Sequence, residues 1–262
     1  MSEEQPASGG ASGDDAVPDE VWERFIRDSE LDIKTSAAPK EPSARARMVT
    51  DRLRKEREAA ALADTRDLLI DADLNPSTLR GGRPERALAL IDPGETDVLA
   101  RLTTALAKPD KAHNPLSLFS RFDPKEVALV GNVVKTRGRM TFSATSDGGG
   151  VLVHSDYSFV YPLVKAAPGS TTVARTIVRR VLDVEVTSSA TQTSAEGKLW
   201  ITRYEEDIAN SACGVYDGYT HPHFSDEPVQ GAAPSGSAVD PYDRSKTLDA
   251  ERHQGRGLLS RS

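Results

Sequence analysis

The sequence predicts an α+β protein in which N-terminal helices pack on a curved four-stranded antiparallel sheet, with disordered termini. Three observations predict it. Apolar residues recur at helical spacing as far as residue 107, and after Pro124 the period changes from 3.6 to 2. Large apolar side chains are scarce at both ends: residues 1–18 hold only Met1 and Val17, and residues 225–262 hold six in 38, against 27 in 78 over residues 127–204. Ends so poor in apolar surface cannot offset the entropy of ordering. The chain therefore divides into a disordered acidic leader (1–18), an amphipathic helix, linker and basic helix (19–63), an α+β core domain (64–224) and a mostly disordered tail (225–262).

The elements follow in order. Trp22, Phe25, Ile26 and Ile33 share one face of a short amphipathic helix. The segment KTSAAPKEP (34–42), with two prolines, breaks it. Ser43 is suited to cap a second helix that continues through Ala44, Met48, Leu53 and Ala59-Ala60-Ala61 and can run on to Leu74 before Asn75-Pro76 ends it. After Gly81-Gly82, Pro84 opens a short helix carrying Ala87, Leu88 and Ile91, stopped by Asp92-Pro93-Gly94. Thr96 caps a third helix of the core, with Val98, Leu99, Leu102 and Leu106 on one face. Leu116, Leu118, Phe119 and Phe122 form an apolar plug for the end of the core. Strands are expected near 126–144, 151–166, 171–188 and 197–209. Their length demands bending, with Gly131 and Gly138 as the natural places for bulges.

Charge and cysteine content narrow the function. Formal net charge is −7, which argues against nucleic acid as a general partner, since counterion release needs a basic face. The charge is uneven. Residues 1–20 carry six acids and no base, whereas residues 43–58 carry Arg45, Arg47, Arg52, Arg54, Lys55 and Arg57 against three acids. Cys213 is the single cysteine, so no intrachain disulfide and no cysteine-based zinc site can form. The opening MSEEQP lacks the basic and apolar regions of a secretory leader, and no uncharged apolar run approaches the roughly 18 residues of a bilayer span. A cytoplasmic location is the expectation.

Candidate sites are few. His154 and Asp156 stand two apart on one strand, so both point to one sheet face, where an acid/base pair lining a pocket could abstract a proton in a cyclase- or isomerase-like reaction. The plainer reading places them on an outer face, opposite Val153, Tyr157 and Phe159. His221 and His223, with Asp217 and Asp226 nearby, offer ligand types for a divalent metal, although two histidines on a loop match no strong metal spacing. Arg137, Arg139, Arg175, Arg179, Arg180 and Arg203 could receive an anion or pair across strands with Asp183, Glu185, Glu205 and Glu206. Neither Gly81-Gly82 nor Gly148–Gly150 has the setting of a phosphate loop, and no cofactor is expected.

The order of helix, short helix, helix and long bent strands resembles the cystatin-like cone fold shared with nuclear transport factor two, which implies a sheet wrapped around helices and a pocket. The stretches VWERFIRDSE (21–30), APKEPSARARMVTDRLR (38–54), LNPSTLRGGRPERALALIDP (74–93), RFDPKEVALVGNVVKTRGRMTF (121–142), ARTIVRRVL (174–182) and DPYDRSK (240–246) look like a group of uncharacterised actinobacterial membrane-anchored proteins. That resemblance implies a cytoplasmic N-terminal module and, in the relatives, a transmembrane helix with the sheet domain outside. Here residues 54–64 run from basic helix into the core with no apolar span. The expected function is binding or scaffolding: Trp22, Phe25, Ile26, Arg45, Arg47, Arg52 and Arg54 would dock a cytoplasmic protein. An anionic membrane surface is the weaker partner, because interspersed acids leave the basic stretch at only +3.

Overall fold

The computed structural model describes residues 43–146, 149–187 and 195–227, together with residues 20, 23, 24, 27, 41, 240 and 248. The chain divides into two compact units, Met1–Val49 and Thr50–Ser262. Within the first, Glu20, Glu23, Arg24 and Arg27 are helical and exposed. Trp22, Phe25 and Ile26 lie outside the described residues, as does the 1–18 leader. Ser43 caps the next helix as its hydroxyl predicts: Oγ accepts from the Ala46 amide at 3.2 Å.

That helix, α1 (Ala44–Asp73), runs unbroken for 30 residues, about 45 Å. Its two halves differ because their sequences do. Ala61, Thr65, Leu68, Leu69 and Ala72 recur at i, i+4, i+7, i+8 and i+11 and are buried. The first half has no such stripe. Met48, Val49 and Leu53 are exposed, and ion pairs such as Arg52–Glu56 and Arg54–Asp51 dress the helix surface.

Asn75 ends α1 and starts a short turn, α2 (Pro76–Leu79), by accepting the Ser77 amide at 2.9 Å. α3 (Glu85–Leu90) and α4 (Thr96–Ala107) follow. Thr96 was expected to cap α4; instead Glu95 occupies that position without a side-chain cap. The Glu95 carboxylate is committed elsewhere, accepting the Ile201 amide at 2.9 Å. Leu116, Leu118, Phe119 and Phe122 are all buried, as expected of a core plug.

The sheet is open, antiparallel and five-stranded, not four-stranded. β1 (Val127–Leu129) and β2 (Lys135–Ala144) both pair with β3 (Gly150–Lys165), which pairs with β4 (Val173–Thr187), which pairs with β5 (Trp200–Ala209). The expected first strand is cut in two because a turn at residues 130–132 leaves the ladder, with Gly131 at φ 71°. Gly138, the other expected bulge, keeps its register opposite Tyr157. The register shift falls between Asp183 and Val184, against β5.

Helices cover one face of this sheet. Leu68, Leu69, Ala72, Ala87 and Leu102 join Val153, Leu182, Val184 and Ile201 in one apolar cluster. Leu79, Phe122 and Phe224 join Phe159, Tyr161, Leu163 and Val178 in a second. Tyr157 touches both.

Candidate functional site

The inward row of β5 carries Tyr204, Glu206 and Ile208, opposite Leu182, Arg180 and Val178. Before them opens a cleft of about 760 Å³. Its other walls are α4 through Arg101, Leu102 and Ala105, the segment 111–117, and the loop 211–219 with Cys213, Tyr216 and Tyr219. The lining thus combines cationic groups (Arg101, Lys111), acids (Glu206, Asp207), three tyrosines and an exposed thiol. Such a lining suits a polar partner that also presents flat apolar surface.

Each wall is fixed by bonds that the sequence pattern does not advertise. Pro115–Ser117 forms a 3₁₀ turn whose Leu116 and Ser117 carbonyls each accept from Arg180 Nη1 at 3.0 Å. Upstream, Asp110 Oδ1 accepts the Ala112 and His113 amides at 2.7 Å, and these bonds, the His113 amide foremost, hold its carboxyl below the usual range. The 211–219 wall springs from Asn210, a non-glycine residue at φ 62°. Its side chain donates to the Arg175 and His223 carbonyls at 3.1 and 3.2 Å, fastening the turn from both sides. Tyr219 lies under the Arg121 guanidinium, 5.2 Å from ring centre to Cζ.

His221 closes that wall from below. One ring nitrogen meets Glu126 Oε2 at 2.9 Å and the other meets Asp217 Oδ1 at 3.0 Å. Burial alone would lower its pKa, but the bonds to Asp217 and Glu126 outweigh burial and raise it. Burial opposes ionisation of Asp217 in turn, yet the His221 and Tyr219 bonds bring its carboxyl below the usual value. The histidine thus acts as a clasp. His223 is exposed and uses its backbone, not its ring, to meet Asn210 at 3.2 Å, while Asp226 pairs with Lys165. Among the described residues no group of three or more His, Cys, Asp or Glu is arranged to hold a metal ion.

His154 and Asp156 share the sheet face that turns away from both apolar clusters, and neither lines the cleft. They do not converge on one point: His154 Nδ1 bonds Asp183 at 2.5 Å, and Asp156 receives the Arg179 guanidinium through two bonds at 3.0 and 2.9 Å. The basic residues of the sheet are likewise distributed. Arg179 and Arg203 pair with Asp156 and Glu205 on the outer face, whereas Arg180 points inward to Asp73. On α1, Arg47, Arg52 and Arg54 pair with Glu41, Glu56 and Asp51, and Arg45 is exposed.

Sequence reasoning does not bring Tyr204, Glu206, Cys213 and Tyr216 together as a site: Glu206 enters it only as a cross-strand partner for arginine and Cys213 only as the single cysteine. One signal was available: the period-two row Tyr204, Glu206, Ile208 places a carboxylate among inward residues just before a loop with glycines at 214 and 218. Compared with family models, with curated proteins and with solved structures, the chain matches none. No helix among the described residues is long and apolar enough to cross a membrane.

Proposed function

We propose that this chain is a binding or scaffolding protein whose core domain offers the cleft between α4 and β5 to a protein partner. The observation that carries the reading is the division of labour around the cleft. Arg180, Asp110, Asn210 and His221 are engaged in holding its walls, while Tyr216 and Cys213 stand exposed along it. A rigid frame presenting aromatic and mixed-charge groups is how recognition surfaces limit the entropy lost on binding. The succession of helices and long antiparallel strands supports a cystatin-like cone as the finer description of the domain. The basic residues Arg45, Arg47, Arg52 and Arg54 on the exposed half of α1 support a second docking element, facing a cytoplasmic protein. Arg45, Arg52 and Glu56 interrupt the arc of Met48, Val49 and Leu53, which favours a protein over a membrane surface.

The test is capture from native lysate with the full chain, wild type beside Glu206→Arg and Tyr216→Ala, each variant checked for folding by circular dichroism. A partner retained by wild type and lost on both variants is expected. Equal retention by all three would overturn the cleft as the binding site.

A further inference from the structure

Among the described residues three arginines are buried, and two of them have a carboxylate. Arg180 meets Asp73 at 2.6 Å and Arg179 meets Asp156 at 2.9 Å. Arg121, 6% exposed, has no carboxylate partner among the described residues. Its guanidinium donates from Nη2 to the Gly81 carbonyl at 2.5 Å, and its buried Nε–H has no acceptor. A carbonyl and the Tyr219 ring engage part of the group and cancel none of its net charge. Burial accordingly pulls the Arg121 pKa down, with only Tyr219 acting the other way.

Two hydroxyls in the adjoining segments are also without partners. Thr78 Oγ1 and Thr220 Oγ1 are buried and make no hydrogen bond. Backbone bonds gather these segments: the Thr220 amide donates to the Arg121 carbonyl at 2.8 Å, the Phe122 amide to the Leu79 carbonyl at 2.8 Å, and the Gly81 amide to the Thr78 carbonyl at 2.9 Å. Gly81, at φ 91°, lets Tyr219 close in, since a side chain there would collide with the Tyr219 ring and hydroxyl. The three unsatisfied atoms have one property in common, which is that each can donate a hydrogen bond. Leaving buried donors unmet is costly. A water molecule would accept from them, but only an anion also supplies the charge that Arg121 lacks.

We propose that Arg121, with Thr78 and Thr220, forms a binding site for one oxyanion group, a carboxylate or a phosphate. Arg121 supplies the charge and the Nε–H donor, a combination suited to either group. The threonine hydroxyls supply further donors. Tyr219 joins this site to the cleft, because its ring lines the cleft and also carries the Arg121 guanidinium. The exposed Arg80 adds a positive charge beside Gly81.

The experiment uses the full chain and two probes, sodium phosphate and sodium acetate, each titrated at an ionic strength held constant with sodium chloride. The Arg121 Nε–H resonance, assigned through its bonds, is followed together with the melting temperature. The expected result is a saturable shift of that resonance with a parallel rise in Tm, from phosphate if the natural ligand carries a phosphoryl group and from acetate if it carries a carboxylate. Thr78→Val and Thr220→Val, close in shape to the originals, should each weaken binding about tenfold, as loss of one hydrogen bond to a charged group does. Arg121→Met removes the buried charge and should lose the Tm response, which separates site binding from general salt stabilisation. Absence of saturation with both anions, a Tm response that persists in Arg121→Met, or wild-type affinity in both threonine variants would overturn the site. These readouts need no partner, so the oxyanion site and the cleft fail separately.

Discussion

Arg180 Nε donates to Asp73 Oδ1 at 2.6 Å, joining the middle of β4 to the last residue of α1 where both side chains are buried. The contact organises more than a pair. Ser120 Oγ donates to the same Asp73 oxygen, Tyr161 OH donates to the Asp73 carbonyl at 2.9 Å, and Arg180 reaches on to the cleft-lining turn at Leu116 and Ser117. Burial pushes the Asp73 carboxyl up, against the pull of Arg180 and Ser120. The buried polar cluster therefore connects helix, sheet and cleft through one costly buried charge pair.

Removing one partner should be far worse than removing both. Asp73→Asn strands the Arg180 guanidinium in the interior, and urea unfolding should show a loss of about 3–5 kcal/mol. The double variant Asp73→Leu/Arg180→Met should lose much less than the sum of its single changes. Additive losses would show that the two groups are not coupled.

The His221 clasp sets a pH dependence. Its folded pKa is raised, so its stabilising effect is fully present below the unfolded value of about 6.5 and fades as pH rises through the folded value. Asp217 is lowered, so its contribution is present above its unfolded value of about 3.9 and is lost as pH falls through the folded one. His221→Gln should therefore be most destabilising between these limits, at about pH 5–6, and the difference from wild type should shrink as pH rises through the raised folded value of His221. Melting temperatures across that range provide the check, and a difference that grows with pH would refute the clasp.

Glu95 makes a comparable single connection, between the start of α4 and the Ile201 amide beside the β4–β5 register shift. Burial raises its carboxyl above the usual value despite that bond. Glu95→Ala leaves the amide without its acceptor and should cost about 1–3 kcal/mol by chemical denaturation, whereas Glu95→Gln, which keeps a carbonyl oxygen, should cost less. Equal costs would mean that the bond is dispensable.

These buried acids explain where the sequence was legible and where it was not. The helix–strand order and the core residues followed from periodicity, since Leu68, Leu102, Val153 and Leu182 are buried wherever the 3.6 or 2 repeat placed them. Asp71, Asp73, Asp92 and Glu95 resemble ordinary helix-end and turn residues in one dimension. In the fold they accept amides or guanidinium groups from far away, as when Asp71 takes the Ala87 amide and Asp92 the Ala195 amide, both at 2.8 Å. Periodicity carries no information about such partners. For the same reason it left the cleft unseen, because two of its walls are loops shaped by Asp110, Asn210 and His221. The split of the first strand was half legible: Gly131 marked the place, but a bulge and a full break share the same glycine.

Gly138 tests the opposite case, a glycine whose need lies in packing and not in dihedral freedom. It remains in the β2–β3 ladder opposite Tyr157, and the Tyr157 ring covers its Cα. A Cβ there would meet that ring and the Asp156 carbonyl oxygen 2.5 Å away. Gly138→Ala must displace either β2 or Tyr157, and Tyr157 packs in both apolar clusters. Such overpacking costs about 1–3 kcal/mol, a fall in Tm of roughly 2–12 °C at the usual 2–4 °C per kcal/mol for a domain of this size. Gly131→Ala is the control: a Cβ there meets nothing within 4 Å, and only its φ of 71° opposes the change, so the loss should be about 1 kcal/mol. Adding Tyr157→Ala should remove most of the Gly138→Ala penalty, since the two share one space. If the penalties of Gly138→Ala and Tyr157→Ala simply add, the ring is not what requires glycine at this position.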